Sequence, residues 1–239
     1  MYQELQKKIK SSNEQIKHSK VNKIFTDISE GYDFMNDLMS FGLHRIWKEE
    51  FIELIHLNEK FLVLDLASGS GDLIKIIKKK CSCTCFGFDS NMNMIEEARK
   101  KINEDKVYFF NGRAEFLPFR NKTFDAITVS FGLRNFSNIN QSLKEIKRVI
   151  KNKGKFYCLE FSEVNNKIFR NFFHLYSRLI PYYGKFFLNN KNAYSYLIES
   201  IEEFPNQIQL TKKLLNSGFK NIEVIDVLDG IASIHIAEP

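Results

Sequence analysis

A doubly wound α/β fold, with a mostly parallel seven-stranded sheet that ends in an antiparallel hairpin, is what this sequence predicts. Three observations carry the prediction. Short apolar or β-forming runs recur along the chain, helical segments separate most of them, and the last two runs lie close together around Asp229-Gly230. Strands alternating with helices at this spacing imply a parallel sheet covered on both faces. An Asp-Gly pair between two apolar runs is a hairpin signal.

Residues 1–23 are polar and lysine-rich, and read as a mobile arm or a solvent-facing first helix. A helical pattern follows through Phe25, Ile28 and Tyr32, with Leu38 and Met39 before Gly42; a second runs through Ile46, Trp47, Phe51, Leu54 and Ile55. Phe61–Leu66 is a near-continuous apolar run of the kind found in strands buried on both faces. Further strands are expected at Cys83–Phe88, Val107–Phe110, Phe124–Val129 and Phe156–Phe161, with helices such as Asn93–Lys101 and Leu143–Ile150 among them. Residues 163–217 are mostly helical in pattern and rich in aromatics. Ile222–Leu228 and Ile231–Ala237 then form the hairpin.

A length of 239 residues fits one large domain, and 44% hydrophobic residues can supply a sizeable core. No run approaches the eighteen or so apolar residues of a membrane span. Glu4 and Glu14 among the first lysines argue against a secretory signal or an Arg-rich transit peptide. Four cysteines in a chain of this length do not make a disulfide scaffold, so a cytoplasmic setting is expected. The net charge of +6 is compatible with nucleic acid or an anionic membrane. Its scattered lysines read more simply as a solvated face, and basic residues do not cluster with aromatics into a nucleic-acid platform. Cys81, Cys83 and Cys85 alternate as Cys-x-Cys-x-Cys without a second ligand cluster. They are read as small strand hydrophobes, and no metal site is expected.

The chemical signal starts at Asp65-Leu66-Ala67-Ser68-Gly69-Ser70-Gly71-Asp72, which follows a buried strand and leads into the apolar helical stretch Leu73–Ile77. Gly69 and Gly71 let the backbone turn sharply and let a ligand approach closely. Asp89 closes the next strand, 20 positions beyond Gly69, where a carboxylate can accept both hydroxyl hydrogen bonds of a ribose. A nicotinamide-binding fingerprint would need a third glycine at position 74, which is Ile74. That glycine serves a pyrophosphate, which S-adenosyl-L-methionine lacks, so S-adenosyl-L-methionine is the expected cofactor. The loop after the third strand carries Arg113 and Ala114, where an adenine edge would be read. The fourth strand ends at Ser130, so three strand ends point at one crevice.

Two blocks carry a family resemblance: Tyr32-Asp33-Phe34-Met35-Asn36-Asp37 continuing to Trp47-Lys48, and Ser130-Phe131-Gly132-Leu133-Arg134-Asn135. With them the chain resembles the quinone-biosynthesis C-methyltransferases, class I Rossmann-like enzymes that methylate demethylmenaquinol and a polyprenyl-methoxy-benzoquinol. The resemblance covers roughly residues 24–237 and extends to Tyr194–Ile201 and Phe204-Pro205. It implies cofactor contacts at Ser70, Asp89, Arg113, Ala114 and Ser130, beside Asp65, Gly69 and Gly71. The family usually has glycine where Ser68 stands, Thr where Ser70 stands and Asn where Arg113 stands.

The resemblance also implies one domain with a helical cover (1–56), a cofactor core (57–162), a helical substrate cover (163–217) and a closing hairpin (218–239). A quinol is nucleophilic at a ring carbon once a hydroxyl loses its proton, so a group favouring the phenolate is needed. Arg134 is the candidate, because a guanidinium stabilises oxyanion charge without acting as a base; Asn135 would orient a ring oxygen. Tyr32, Asp33, Asn36 and His44 are expected at the substrate pocket, and the base is left open among Asp33, Asp37, His44 and water.

An RNA or other small-molecule methyltransferase of the same fold is the alternative. RNA-base modifiers often carry an Asn/Asp-Pro-Pro-aromatic motif after the fourth strand, which is absent here. Phe169, Phe172, Phe173 and Tyr176, near Arg170, Arg178 and Lys185, recur at helical spacing. They either pack on the sheet or form a cover that takes the prenyl tail at an anionic membrane surface on the cytoplasmic side. A homodimer or a quinone-biosynthesis complex are further expected partners.

Overall fold

The computed structural model describes residues 2–27, 37, 40, 42–166 and 191–239. The elements run α1 (Tyr2–Asp27), α2 (His44–Glu53), β1 (Leu62–Leu66), α3 (Asp72–Lys80), β2 (Thr84–Asp89), α4 (Met92–Lys101), β3 (Val107–Asn111) and β4 (Phe124–Ser130). A 3₁₀ turn (Leu133–Asn135) is followed by α5 (Ile139–Val149), β5 (Ile150–Phe161), α6 (Lys191–Glu202), α7 (Gln207–Asn216), β6 (Lys220–Val227) and β7 (Ala232–Glu238). The seven strands form one sheet in the order β3-β2-β1-β4-β5-β7-β6. Every neighbouring pair is parallel except those of β7, which runs against both β5 and β6. The order reverses direction beside β1, where β2 lies on one side and β4 on the other, and such a switch point opens a crevice at the carboxyl ends of the strands.

The apolar runs produce this arrangement by needing cover on both sides. On one face Phe51, Ile52, Ile74, Ile77, Ile95 and Ala98 of α2–α4 pack on the sheet. On the other, Leu143 and Ile146 of α5 and Leu210 and Leu214 of α7 do the same. Cys83 and Cys85 are fully buried in the first layer with their sulfurs 3.9 Å apart. Side-chain caps fix where helices begin: Asn91 accepts from the Met94 N–H, Asn138 from Gln141, and Asn206 forms a reciprocal capping box with Gln209.

Two differences from the sequence reading have physical causes. β5 starts at Ile150, six residues earlier than its apolar run, because polar Lys151–Lys155 are held by backbone pairing across a register shift opposite Phe124 and Ala126. The polar N-terminal stretch is a helix with one face turned inward, since Val21 is buried and Phe25 half-buried. The aromatic stretch at 169–185 lies outside the described residues.

Candidate active site

The crevice at the switch point encloses about 950 Å³ including its open mouth. Its floor is the turn after β1. Ala67, Gly69 and Gly71 all have positive φ (51°, 54° and 85°), which folds the chain back on itself before α3. Gly71 could not be another residue without displacement, because a Cβ there would lie 2.6 Å from Ile102 Cδ1. Ser68 is outside the left-handed region, so a side chain at this departure from the family pattern costs no backbone strain.

Asp89, at the end of β2, accepts hydrogen bonds from the Gly69 N–H at 2.9 Å and the Asn91 N–H at 2.8 Å. Burial pushes its carboxyl above the usual range, against the pull of those N–H groups. Asp65, at the end of β1, is buried and accepts from Thr128 Oγ1 at 2.7 Å. Burial pushes its carboxyl up to about 7; Thr128 and Lys48 pull it back, while Asp89 and Asp72 push the same way as burial. Two acids lining one crevice favour a ligand with hydroxyls and a positive charge.

Four polar atoms on the wall are buried and have no hydrogen-bond partner among the described residues: Ser68 Oγ, Ser130 Oγ, His18 Nε2 and Asn22 Oδ1. Such orphans are rare in folded proteins unless a ligand completes them. Phe88, Ala114 and Phe136 supply apolar surface beside them. Hydroxyl acceptors, a carboxylate for a cation, orphaned polar atoms and an apolar slot fit S-adenosyl-L-methionine.

Of the residues expected from sequence, Asp65, Gly69, Ser70, Asp89, Arg113, Ala114, Ser130 and Asn135 all border this crevice. Gly71 lies behind its wall. Arg113 leans on Glu115 at 3.4 Å and over the Phe116 ring. His44 is not on the wall: it is buried, with Nε2 2.9 Å from Asp37 Oδ1, and burial followed by the nearby Lys48 charge lowers its pKa. Tyr32, Asp33 and Asn36 lie outside the described residues.

Arg134 turns away from the crevice. Its Nη1 donates to Glu160 Oε1 at 2.5 Å and to the Phe131 carbonyl at 2.6 Å, and both charged side chains are 1% exposed. A guanidinium this deep requires a countercharge. The 26-residue separation from Glu160 hides that partner from a reading of local sequence.

Several wall residues escaped the sequence reading. His18, Val21, Asn22 and Phe25 of α1 all face the crevice. Their i, i+3, i+4, i+7 spacing is the signal that could have found them. The helix is held on both sides of the mouth. Lys17 Nζ donates to the carbonyls of Arg134 (3.2 Å) and Phe136 (2.9 Å), and Asn91 Nδ2 donates to the Asn22 carbonyl and Thr26 Oγ1, each at 3.0 Å. Lys48 of α2 is buried on the wall, 3.2 Å from Asp72 Oδ2.

Beyond the 3₁₀ turn lies a second cavity, about 880 Å³ including its open mouth, between α1 and α6, with Arg134, Ile139, Tyr196 and Phe204 among its lining.

The ubiE/COQ5 methyltransferase family matches residues 13–238. The ubiquinone/menaquinone biosynthesis C-methyltransferase UbiE of Rickettsia bellii (strain OSU 85-389) is 42% identical, covering 97% of this chain and 96% of its own. Its namesake in Rickettsia prowazekii (strain Madrid E) is also 42% identical, covering 91% of each chain. Among solved structures, the methyltransferase bound to the Haloferax volcanii Trm112 activator superposes with a TM-score of 0.67 at 16% identity, over 91% of this chain and 96% of that one. A SAM-dependent methyltransferase from Thermotoga maritima gives 0.65 at 16% identity, over 91% and 99%. At that identity the two structures speak for the fold alone.

Proposed function

Because the chain belongs to the ubiE/COQ5 methyltransferase family, we infer that its crevice binds S-adenosyl-L-methionine and that its acceptor is a polyprenyl quinol. It is an S-adenosylmethionine-dependent C-methyltransferase of quinone biosynthesis. The observation that carries the reading is the pairing of that membership with a crevice whose acids and orphaned polar atoms fit the cofactor.

When bound, S-adenosyl-L-methionine supplies an electrophilic methyl group; the new bond to a ring carbon replaces the sulfur–methyl bond, and S-adenosylhomocysteine and one proton leave. Asp89 would hold the ribose hydroxyls with the carboxylate lone pairs left over from Gly69 and Asn91. Asp65 would supply negative charge for the cationic ligand, and Ser68, Ser130, His18 and Asn22 would complete their hydrogen bonds on its polar edges, with α1 walling the crevice.

On the acceptor side, a phenol titrates near about 10, so a ring oxygen must be stabilised as its proton departs. Asn135, on the crevice wall, donates to that oxygen. Arg134, neutralised by Glu160, fixes the turn that carries Asn135.

Purified protein given labelled S-adenosyl-L-methionine should label a polyprenyl quinol and not RNA. Label in RNA alone would sink this reading. The excess of basic residues also supports peripheral contact with anionic lipid, where such a quinol resides. Flotation should recover the protein with anionic vesicles at low salt and not with neutral ones; equal recovery on both would remove the electrostatic contact. No described helix is long and apolar enough to cross a membrane.

A further inference from the structure

We propose that Tyr196 is a positioning residue that sets which end of the Asn135 amide faces the methyl acceptor. The inference rests on the reading of Asn135 as the group that meets the quinol oxygen. An asparagine side chain is ambiguous: one end only accepts hydrogen bonds, the other only donates. A developing oxyanion is stabilised by the donor end and repelled by the acceptor end, so an unconstrained amide would meet the substrate wrongly part of the time.

The structure removes that ambiguity from the far side of the wall. The Tyr196 hydroxyl, on α6, donates to Asn135 Oδ1 at 3.0 Å. With Oδ1 engaged there, Nδ2 is what Asn135 offers to the crevice, and it makes no hydrogen bond among the described residues. The turn beneath is rigid. Glu160 Oε2 accepts the Arg134 N–H at 3.3 Å, Oε1 takes the guanidinium, and the Asn135 N–H closes onto the Gly132 carbonyl at 3.0 Å. The amide therefore swings only about its own side-chain bonds, which the tyrosine fixes.

Tyr196 stays a donor across the working pH range, since burial pushes its hydroxyl up to about 12. Lys20 of α1 lies over its ring at 5.6 Å, which holds the ring between α1 and α6. Tyr196 lines the second cavity and Asn135 the cofactor crevice, so the hydrogen bond crosses the partition between them. It spans 61 residues of sequence, which is why neither partner suggests the other.

The test is steady-state kinetics on Tyr196→Phe, Asn135→Ala and Asn135→Asp, with cofactor binding measured by calorimetry. Tyr196→Phe keeps the ring and loses the hydroxyl. It should lower kcat about tenfold, the scale of one hydrogen bond, with the cofactor Kd unchanged. Because the hydroxyl orients and does not titrate, that loss should be the same from pH 6 to 9. Combined with Asn135→Ala it should cost no more than Asn135→Ala alone.

Asn135→Asp retains the acceptor for Tyr196 and removes the donor facing the crevice, so it should lose at least as much rate as Asn135→Ala without losing thermal stability. Wild-type kcat in Tyr196→Phe with slow Asn135 variants would overturn the role of Tyr196 alone. Wild-type kcat in Asn135→Asp would overturn the donor assignment even if Tyr196→Phe does not fold. Wild-type kcat in both Asn135 variants would remove the underlying reading of the acceptor wall.

Discussion

Asp89→Ala is expected to weaken S-adenosyl-L-methionine binding by two orders of magnitude or more. A carboxylate that accepts both ribose hydroxyls makes two charge-assisted hydrogen bonds, each of about 1.5–3 kcal/mol. Losing about 3 kcal/mol is already more than a hundredfold in affinity. The same substitution strips the Gly69 and Asn91 N–H groups of their acceptor, which loosens both turns that shape the crevice and adds to the loss. Calorimetry on the variant, with circular dichroism confirming its fold, reads the effect directly. Unchanged affinity would take Asp89 out of the site.

The second large effect is on stability. Asp65 has a folded pKa of about 7 against an ordinary value of 3.8, chiefly because burial disfavours its charge. A carboxyl of this kind binds more protons folded than unfolded between those two values, so the ligand-free protein loses stability as pH rises from about 4 to about 7. At about 1.4 kcal/mol per pH unit, the cost above pH 7 is at most about 4 kcal/mol. Asp65→Asn removes the charge while its amide oxygen still accepts from Thr128. The variant should therefore melt higher than wild type at pH 8, with the advantage shrinking as pH falls toward 5, and should bind the cationic cofactor more weakly. Melting curves for the two proteins that differ equally at pH 8 and pH 5 would show that Asp65 carries no buried charge. Such a trade of stability for binding is common at functional sites.

How much of this was legible depends on what each feature leaves in the local sequence. The strand ends carrying Asp65, Asp89 and Ser130 announce themselves because a doubly wound sheet is written in contiguous apolar runs, and its ligand side is fixed by strand polarity. The hairpin was legible from Asp229-Gly230, both of which have positive φ. By contrast, the start of β5 is polar and is held by backbone pairing that hydropathy does not register. The inward face of α1 shows only as a spacing among lysines, and composition masks it. Arg134 was visible as a residue and not as a partner, since Glu160 reaches it only through folding. The Tyr196–Asn135 bond is of the same kind.

The placement of α1 has a thermodynamic corollary. His18, Asn22 and Phe25 on this helix wall the cofactor crevice, Asn13, Ile16 and Lys20 wall the second cavity, and Val21 borders both. A shift of the helix thus reshapes two volumes at once. Whatever factor a ligand in one cavity imposes on affinity in the other must be returned in equal measure. Occupancy on the two sides of the partition would then be linked through this one helix, with no need for a pathway through the sheet.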